Sequence, residues 1–265
     1  MKRYFAISDI HGFYDAMMES LAEAGFQPDN PEHILIVCGD IFDRGIEPEK
    51  VYEFLKSLPT NRRVLIRGNH ESLLKELVDR GFPLTHDIHN GTFDTIYLLM
   101  ESLPTTFSVA DTGVSAFRRL GIVDWIYGPE WVDYYELGRY IFVHGWIPVD
   151  THGLNIFRMN DYHGLSMMED WRKASARDWD IATWCNPIKM YQAGLVPKDR
   201  TMVCGHWRTS DFHKILGNCD GINDGIYISR DLIALDATTV RSGFCNVLVL
   251  DEGDIWSPVK GQKQK

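Results

Sequence analysis

Short apolar runs alternate with amphipathic stretches through the first eighty residues. RYFAIS (3–8), HILIVC (33–38) and RVLIR (63–67) are compact apolar runs that predict strands. Between them, GFYDAMMESLAEAGF (12–26) places Phe13, Met17, Leu21 and Ala24 at helical spacing and ends near Gly25. EPEKVYEFLKSLP (47–59) predicts a second helix, with Pro48 in its first turn and Pro59 as its stop, and ESLLKELVDRG (71–81) a third. Strand–helix alternation at this pace predicts a largely parallel sheet covered by helices, an α/β architecture.

The pattern changes after residue 82. TFDTIYLLMESL and TGVSAFRRLGIVDWI have helical character with irregular links, so 82–130 reads as a helical insertion or cap. YYELGRYIFVHGW (134–146) predicts a hairpin around Leu137-Gly138-Arg139. A loop- and tryptophan-rich section follows from 147 to about 200, then a short strand at TMVCGH (201–206). The alternating tail after it predicts two to four antiparallel strands and a second sheet.

Composition narrows the class. A chain of 265 residues, 45% hydrophobic and 24% charged, can bury a core as one large domain. No window approaches the roughly 18 apolar residues of a membrane span, and the apolar run of MKRYFAISDI stops at Asp9, too early for a signal peptide. A cytoplasmic protein is expected. The five cysteines (Cys38, Cys185, Cys204, Cys219, Cys245) form no CxxC and read as structural thiols. The net charge of −10 argues against nucleic-acid or anionic-membrane partners. It also means that an anionic substrate would need a local source of positive charge.

That source is suggested at the strand ends. Five apolar runs stop at polar residues beside glycines: Asp9-Ile10-His11-Gly12, Gly39-Asp40, Gly68-Asn69-His70-Glu71, His144-Gly145 and Gly205-His206. In open α/β sheets ligands bind at the carboxyl ends of strands, so residues distant in sequence can meet in one crevice. Asp, His and Asn without Cys form a mixed oxygen–nitrogen donor set suited to Mn²⁺, Fe or Zn²⁺. The six candidates Asp9, His11, Asp40, Asn69, His144 and His206 exceed what one catalytic metal uses. They suit two metals sharing a carboxylate, and Asp40, on the middle strand of the first three, is the natural bridge. Two such ions would make the crevice cationic within an acidic protein.

In this order DxHG, GDxxDRG, GNHE, HG and GH resemble the PPP-type phosphoesterases of the calcineurin-like metallophosphoesterase superfamily, nearest to bacterial and bacteriophage-lambda-type protein phosphatases. The motifs run from residue 8 to residue 206, and IALDATTVRSGFCNVLVLD resembles the family's closing strands. The resemblance implies a four-layer fold in one domain over 1–265. It places one metal on Asp9, His11 and Asp40, and a second on Asp40, Asn69, His144 and His206. It further implies attack on phosphorus by a metal-bridging hydroxide, with His70 as general acid and Asp43 orienting its imidazole. Arg44 would fork onto phosphate oxygens, with Asn69 beside them.

Three departures stand out. Ser8 replaces a usual Gly, and Trp146 stands where the second Gly of HGG is expected, so its indole could wall the crevice. ATWCNP (182–187) lacks the family's second phosphate-binding arginine, leaving Arg158, Arg172, Arg177 and Arg208 as candidates. Other polar clusters read as solvent-facing: His86, Asp87 and His89 in one loop, and His152, His163 and His213. Trp171, Trp179, Trp184 and Trp207 are expected to pack in the cap. The expected partner is a phosphorylated protein or small phosphoester. Dinucleoside polyphosphate hydrolysis is the alternative, disfavoured because that group tends to lack the first Asp of DRG and to carry GNHD, against Asp43 and Glu71 here. A metal-free scaffold of the same fold is a third reading, opposed by the presence of all six ligands.

Overall fold

A computed structural model describes residues 1–103, 113–159 and 161–257. The first half follows the predicted alternation. Strands β1 (Arg3–Ile7), β2 (His33–Cys38) and β3 (Arg63–Ile66) run parallel, with helices α1 (Tyr14–Glu23), α2 (Pro48–Ser57) and α3 (Asn69–Arg80) between and after them. α3 starts two residues before the predicted 71, because the Glu71 carboxylate reaches back to the Gly68 N–H at 2.6 Å and closes the first turn. Asn69 and His70 therefore stand on a helix, not a loop. Gly81 ends α3 in the left-handed conformation that glycine adopts without penalty.

The 82–130 segment supplies α4 (Thr85–His89), α5 (Thr92–Ser102), α6 (Val114–Phe117) and α7 (Ile122–Ile126); its stretch 104–112 lies outside the described residues. It leads into β4 (Trp131–Val132), which pairs with β3. The predicted hairpin forms from β5 (Tyr135–Leu137) and β6 (Tyr140–Phe142), paired Leu137 to Tyr140 around Gly138-Arg139. Gly138 has φ +57°, the conformation that lets so tight a turn close. The 147–200 section is more ordered than expected. It holds a small pair of strands, β7 (Val149–Asp150) and β8 (Ser166–Met167), then α8 (Ala176–Thr183) and α9 (Pro187–Gln192). Ser175 caps α8 and Asn186 caps α9.

β9 (Thr201–Cys204) and α10 (Thr209–Ile215) follow. The tail holds β10 (Tyr227–Ile228), β11 (Leu232–Ala234), α11 (Thr239–Ser242) and β12 (Leu248–Asp251). It does not build a sheet of its own. β12 runs antiparallel along β1 in a sheet ordered β12-β1-β2-β3-β4, whereas β10 and β11 extend a second sheet ordered β10-β11-β9-β6-β5. β11 joins β9 in parallel, and only its β10 edge is antiparallel.

Strand alternation sorts the core into three apolar layers. Phe5, Ile7, Leu35, Val37 and Leu65 face α1, α2, α3 and α5. Their neighbours Tyr4, Ala6, Ile34, Ile36, Cys38 and Ile66 meet Tyr140, Phe142, Val203 and Ile233 from the second sheet. The outer face of that sheet packs on α8, α9 and α10. The result is helix, sheet, sheet, helix, the four-layer arrangement expected. Both sheets present strand C-termini at one edge, and the site is built there. No helix among the described residues is long and apolar enough to cross a membrane.

Candidate metal centre

Each strand end delivers its polar residues two to four positions after the last strand residue. β1 leads to Asp9 and His11, β2 to Asp40, β3 to Asn69, β6 to His144 and β9 to His206. Three of these strands belong to one sheet and two to the other, so the centre straddles the inter-sheet seam. The backbone bends sharply to turn the side chains inward. Asp9, His11, Asp40, Asp43, Arg44 and His206 all adopt positive φ, between +51° and +73°. Non-glycine residues rarely sit there, and each costs on the order of 1–3 kcal/mol, so this concentration marks a site whose surroundings impose it.

Glycines make the close approach possible. A Cβ on Gly68 would lie 2.2 Å from Asp40 Oδ1, and one on Gly205 would lie 1.9 Å from Ser8 Oγ and 2.2 Å from Asp9 Oδ2. Ser8, in place of the usual Gly, uses its hydroxyl on Asp9 Oδ2 at 2.5 Å.

The structure brings the predicted ligands together. Asp9, His11, Asp40, Asn69 and His144 are buried, and His206 is half-buried. Donor atoms of His11, Asp40 and His70 all lie within 4.8 Å of one another, as do those of Asp40, His144 and His206. Asp40 belongs to both groups, the place expected of a bridge. Asp9 Oδ1 is 3.9 Å from His11 Nε2, and Asn69 Oδ1 is 2.8 Å from His144 Nε2. Hydrogen bonds fix the ring orientations. His11 Nδ1 lies 2.9 Å from Phe42 O and His144 Nδ1 2.8 Å from Cys38 O, which commits Nδ1 as donor and turns Nε2 of both into the cluster.

Burial and mutual charge shift the protonation of these groups strongly. Burial pushes Asp9 well above the usual carboxylate range, helped by Asp236 and Asp40. Burial also works against ionising Asp40, but His144, His70 and His11 outweigh it and hold Asp40 well below that range. Burial opposes protonation of His144, yet Asp40 and Asp9 raise it to about 10. Burial and neighbouring His144 push His206 down to about 3. Arg44 directs Nη1 at the lone pair of His11 Nε2 (2.7 Å) and brings Nη2 to 3.1 Å from His70 Nε2, a cationic group seated at the mouth of the cluster. A buried set of oxygen and nitrogen donors around a guanidinium fits divalent cations.

His70 Nδ1 lies 2.6 Å from Asp43 Oδ2. Burial works against protonating His70, but Asp40 and Asp43 prevail and raise it above the ordinary histidine value. Glu71, one residue on, is a clamp that the sequence reading did not assign. Its carboxylate accepts the backbone N–H groups of Asp40 (2.9 Å), Ile41 (2.9 Å) and Gly68 (2.6 Å), tying the β2 and β3 ends together. The spacing of Gly68 and Glu71, three apart before an apolar helix, is a capping signal that could have revealed it. Thr239 was also missed; its hydroxyl donates to Asp9 O at 2.9 Å.

Several expectations are corrected. Trp146 does not wall the crevice. It is buried in the outer core of the second sheet, with Nε1 donating to Leu195 O at 3.0 Å. Asp87 is not solvent-facing: it is fully buried and paired with Arg80. His213 is buried on α10, its Nε2 3.0 Å from Gly225 O. Trp171 and Trp179 pack in the core of the second sheet, Trp179 stacked on Tyr134 and Trp171 edge-on to it. Trp184, in contrast, sits edge-on to His206, and Trp207 lines a cavity of about 400 Å³ together with Tyr162, Asn186, Lys189 and Lys214.

Of the arginine candidates, Arg172 is held by Glu136 through two bonds and lies over Trp171. Arg208, two residues after His206, pairs with Asp211. Arg158 and Arg177 are exposed.

Comparison with known proteins agrees with this geometry. A family model described as calcineurin-like phosphoesterase matches residues 2–217. The symmetrical bis(5'-nucleosyl)-tetraphosphatase of Aeromonas salmonicida (strain A449) is 36% identical over 78 residues, 29% of this chain and 28% of that protein. Serine/threonine-protein phosphatase 2 of Salmonella typhimurium (strain LT2) is 36% identical over 72 residues, 27% of this chain and 31% of that protein. The matched stretches span less than a third of either relative's length. Among solved structures, a mutant of a cold-active protein tyrosine phosphatase superposes with a TM-score of 0.50 at 15% identity, over 95% of this chain and 76% of that one, a likeness of fold. With the family model covering most of its length, the chain belongs to the calcineurin-like phosphoesterase family.

Proposed function

We propose that the protein hydrolyses phosphomonoesters at a two-metal centre and acts as a serine/threonine protein phosphatase. The observation that carries this is the convergence of Asp9, His11, Asp40, Asn69, His144 and His206 beside the His70–Asp43 pair. The reading takes 1–265 as one domain with 82–130 as an insertion. Asp9, His11 and Asp40 would hold one cation, and Asp40, Asn69, His144 and His206 the other, with Mn²⁺ the best match to the donors and Fe or Zn²⁺ compatible. When bound, such cations supply an acidified water and positive charge beside the phosphoryl group.

The chain's own groups do the rest. Hydrolysis breaks the bond from phosphorus to the leaving oxygen and forms one to a water oxygen. His70 Nε2 gives its proton to the leaving oxygen, and the proton lost by the attacking water restores the imidazole. Asp43 keeps Nδ1–H engaged, so the ring presents Nε2 to the substrate. Arg44, now turned toward His11 and His70, is placed to take phosphoryl oxygens with its fork.

A second reading, hydrolysis of dinucleoside polyphosphates, is favoured by one feature. The cavity beside Trp207 begins one residue from His206; its wall sets Lys189 and Lys214 against Asp161 and Asp211 and adds Tyr162 and Trp207, aromatic surface on which a second nucleoside base would stack. A panel of p-nitrophenyl phosphate, a phosphothreonine peptide and diadenosine tetraphosphate, assayed with Mn²⁺ on wild type, His70→Asn and Asp40→Asn, decides between them. Turnover of the dinucleotide alone overturns the protein-phosphatase reading. Full activity in Asp40→Asn overturns the two-metal centre.

A further inference from the structure

Asp43 is fully buried, yet it does not rely on His70 alone. Two threonines of α5 close around it. Thr92 Oγ1 donates to Asp43 Oδ2 at 2.6 Å and Thr95 Oγ1 donates to Asp43 Oδ1 at 2.9 Å. The Thr95 hydroxyl also accepts the Asp43 N–H at 3.1 Å, so one residue grips both backbone and side chain. Both threonines are themselves buried, one turn apart on the first turn of the helix. The preceding Gly91 lies against the same loop: a Cβ there would sit 2.7 Å from Arg44 N. The start of α5 is thus seated on residues 43 and 44.

Packing alone does not require hydroxyls here. Valine would fill the same space. What valine cannot do is donate to carboxylate oxygens that are fully buried, and a buried acceptor left without a donor moves to find one. If Asp43 rotates, His70 Nδ1 loses its partner and the ring is free to turn.

We propose that Thr92 and Thr95 are positioning residues for leaving-group protonation. They hold the Asp43 carboxylate and, through it, the His70 imidazole, which makes the 82–130 segment part of the catalytic apparatus and not only a cap. The inference rests on the phosphomonoesterase reading above.

The test compares two substrates on one preparation of Mn²⁺-loaded enzyme: p-nitrophenyl phosphate, whose leaving oxygen departs with little help, and phenyl phosphate, which needs a proton. Thr92→Val/Thr95→Val should lower kcat on phenyl phosphate by about tenfold or more, a fraction of the ~10²–10⁴ typical of general acid catalysis, and change p-nitrophenyl phosphate turnover less than about threefold. KM should stay within about twofold for both. Thr92→Ser/Thr95→Ser keeps the hydroxyls and should restore the wild-type ratio. Unfolded protein lowers both rates equally and cancels from the ratio; if the double variant does not fold, each single Val variant is read the same way.

Equal losses on the two substrates, or an unchanged ratio, overturn the proposal. A wild type inert toward both substrates with metal supplied would sink the functional reading and this inference with it. An active wild type whose Val variants keep the ratio sinks only this one.

Discussion

His70 and Asp43 form a buried pair, Nδ1 to Oδ2 at 2.6 Å, built from the ends of two adjacent strands. Neither residue is next to the other in sequence, and each sits one to three positions from a candidate ligand. The pairing predicts that His70→Asn lowers kcat on alkyl phosphoesters by ~10²–10⁴ and costs less on p-nitrophenyl phosphate. Asp43→Asn should follow the same substrate order with a smaller loss, since the imidazole survives but loses its fixed orientation. Steady-state kinetics on the paired substrates check both.

Glu71 predicts a stability effect separable from chemistry. Its carboxylate accepts three backbone N–H groups at the β2 and β3 ends. Glutamine keeps one oxygen and turns an NH₂ group toward an N–H, so at least one buried donor is orphaned. Glu71→Gln should destabilise the fold by about 1–3 kcal/mol, read as a lower denaturant midpoint with an unchanged slope. Because one of those N–H groups belongs to Asp40, bound manganese should fall as well.

The part of this site legible in sequence was the part written next to strands. Asp9, Asp40, Asn69, His144 and His206 follow apolar runs within three residues, and parallel alternation forces such ends to one edge. What sequence could not show depends on pairing between distant segments. Nothing in the tail's alternation says that β12 joins β1 while β11 joins β9. Asp87 and His213 look solvated until the tertiary structure buries them against Arg80 and Gly225. Trp146 looks like a crevice wall because it follows His144 and Gly145. A single turn of backbone sends the indole instead to Leu195. Thr92 and Thr95 lie about fifty residues from Asp43, and no spacing rule connects them.

The cavity beside Trp207 predicts a substrate-size effect. Trp207→Ala removes an aromatic wall whose ring lies 6.0 Å from that of His206 and leaves every proposed ligand residue itself in place. Hydrolysis of p-nitrophenyl phosphate should stay within about threefold of wild type. A base stacked on an aromatic ring contributes ~1–3 kcal/mol, so diadenosine tetraphosphate should lose about five- to a hundredfold in kcat/KM if that cavity holds its second nucleoside. An equal response of the two substrates would detach the cavity from dinucleotide hydrolysis.

Two glycines separate steric need from backbone need. Gly68 has φ −107°, which any residue adopts, so alanine there is opposed only by contact, with its Cβ 2.2 Å from Asp40 Oδ1. Gly81 is the reverse: φ is +83° and nothing lies within 4 Å of an added Cβ. Gly81→Ala should cost about 1–2 kcal/mol of stability, the left-handed penalty of an L-residue, and leave turnover intact. Gly68→Ala should displace the Asp40 carboxylate, the proposed bridge. Metal analysis after gel filtration should then show less than the two equivalents expected of wild type, and turnover should fall at least as far as it does when wild type is stripped with a chelator. Readdition of Mn²⁺ should restore the stripped wild type but not Gly68→Ala. A Gly68→Ala protein that binds two equivalents and turns over normally would mean that Asp40 does not bridge.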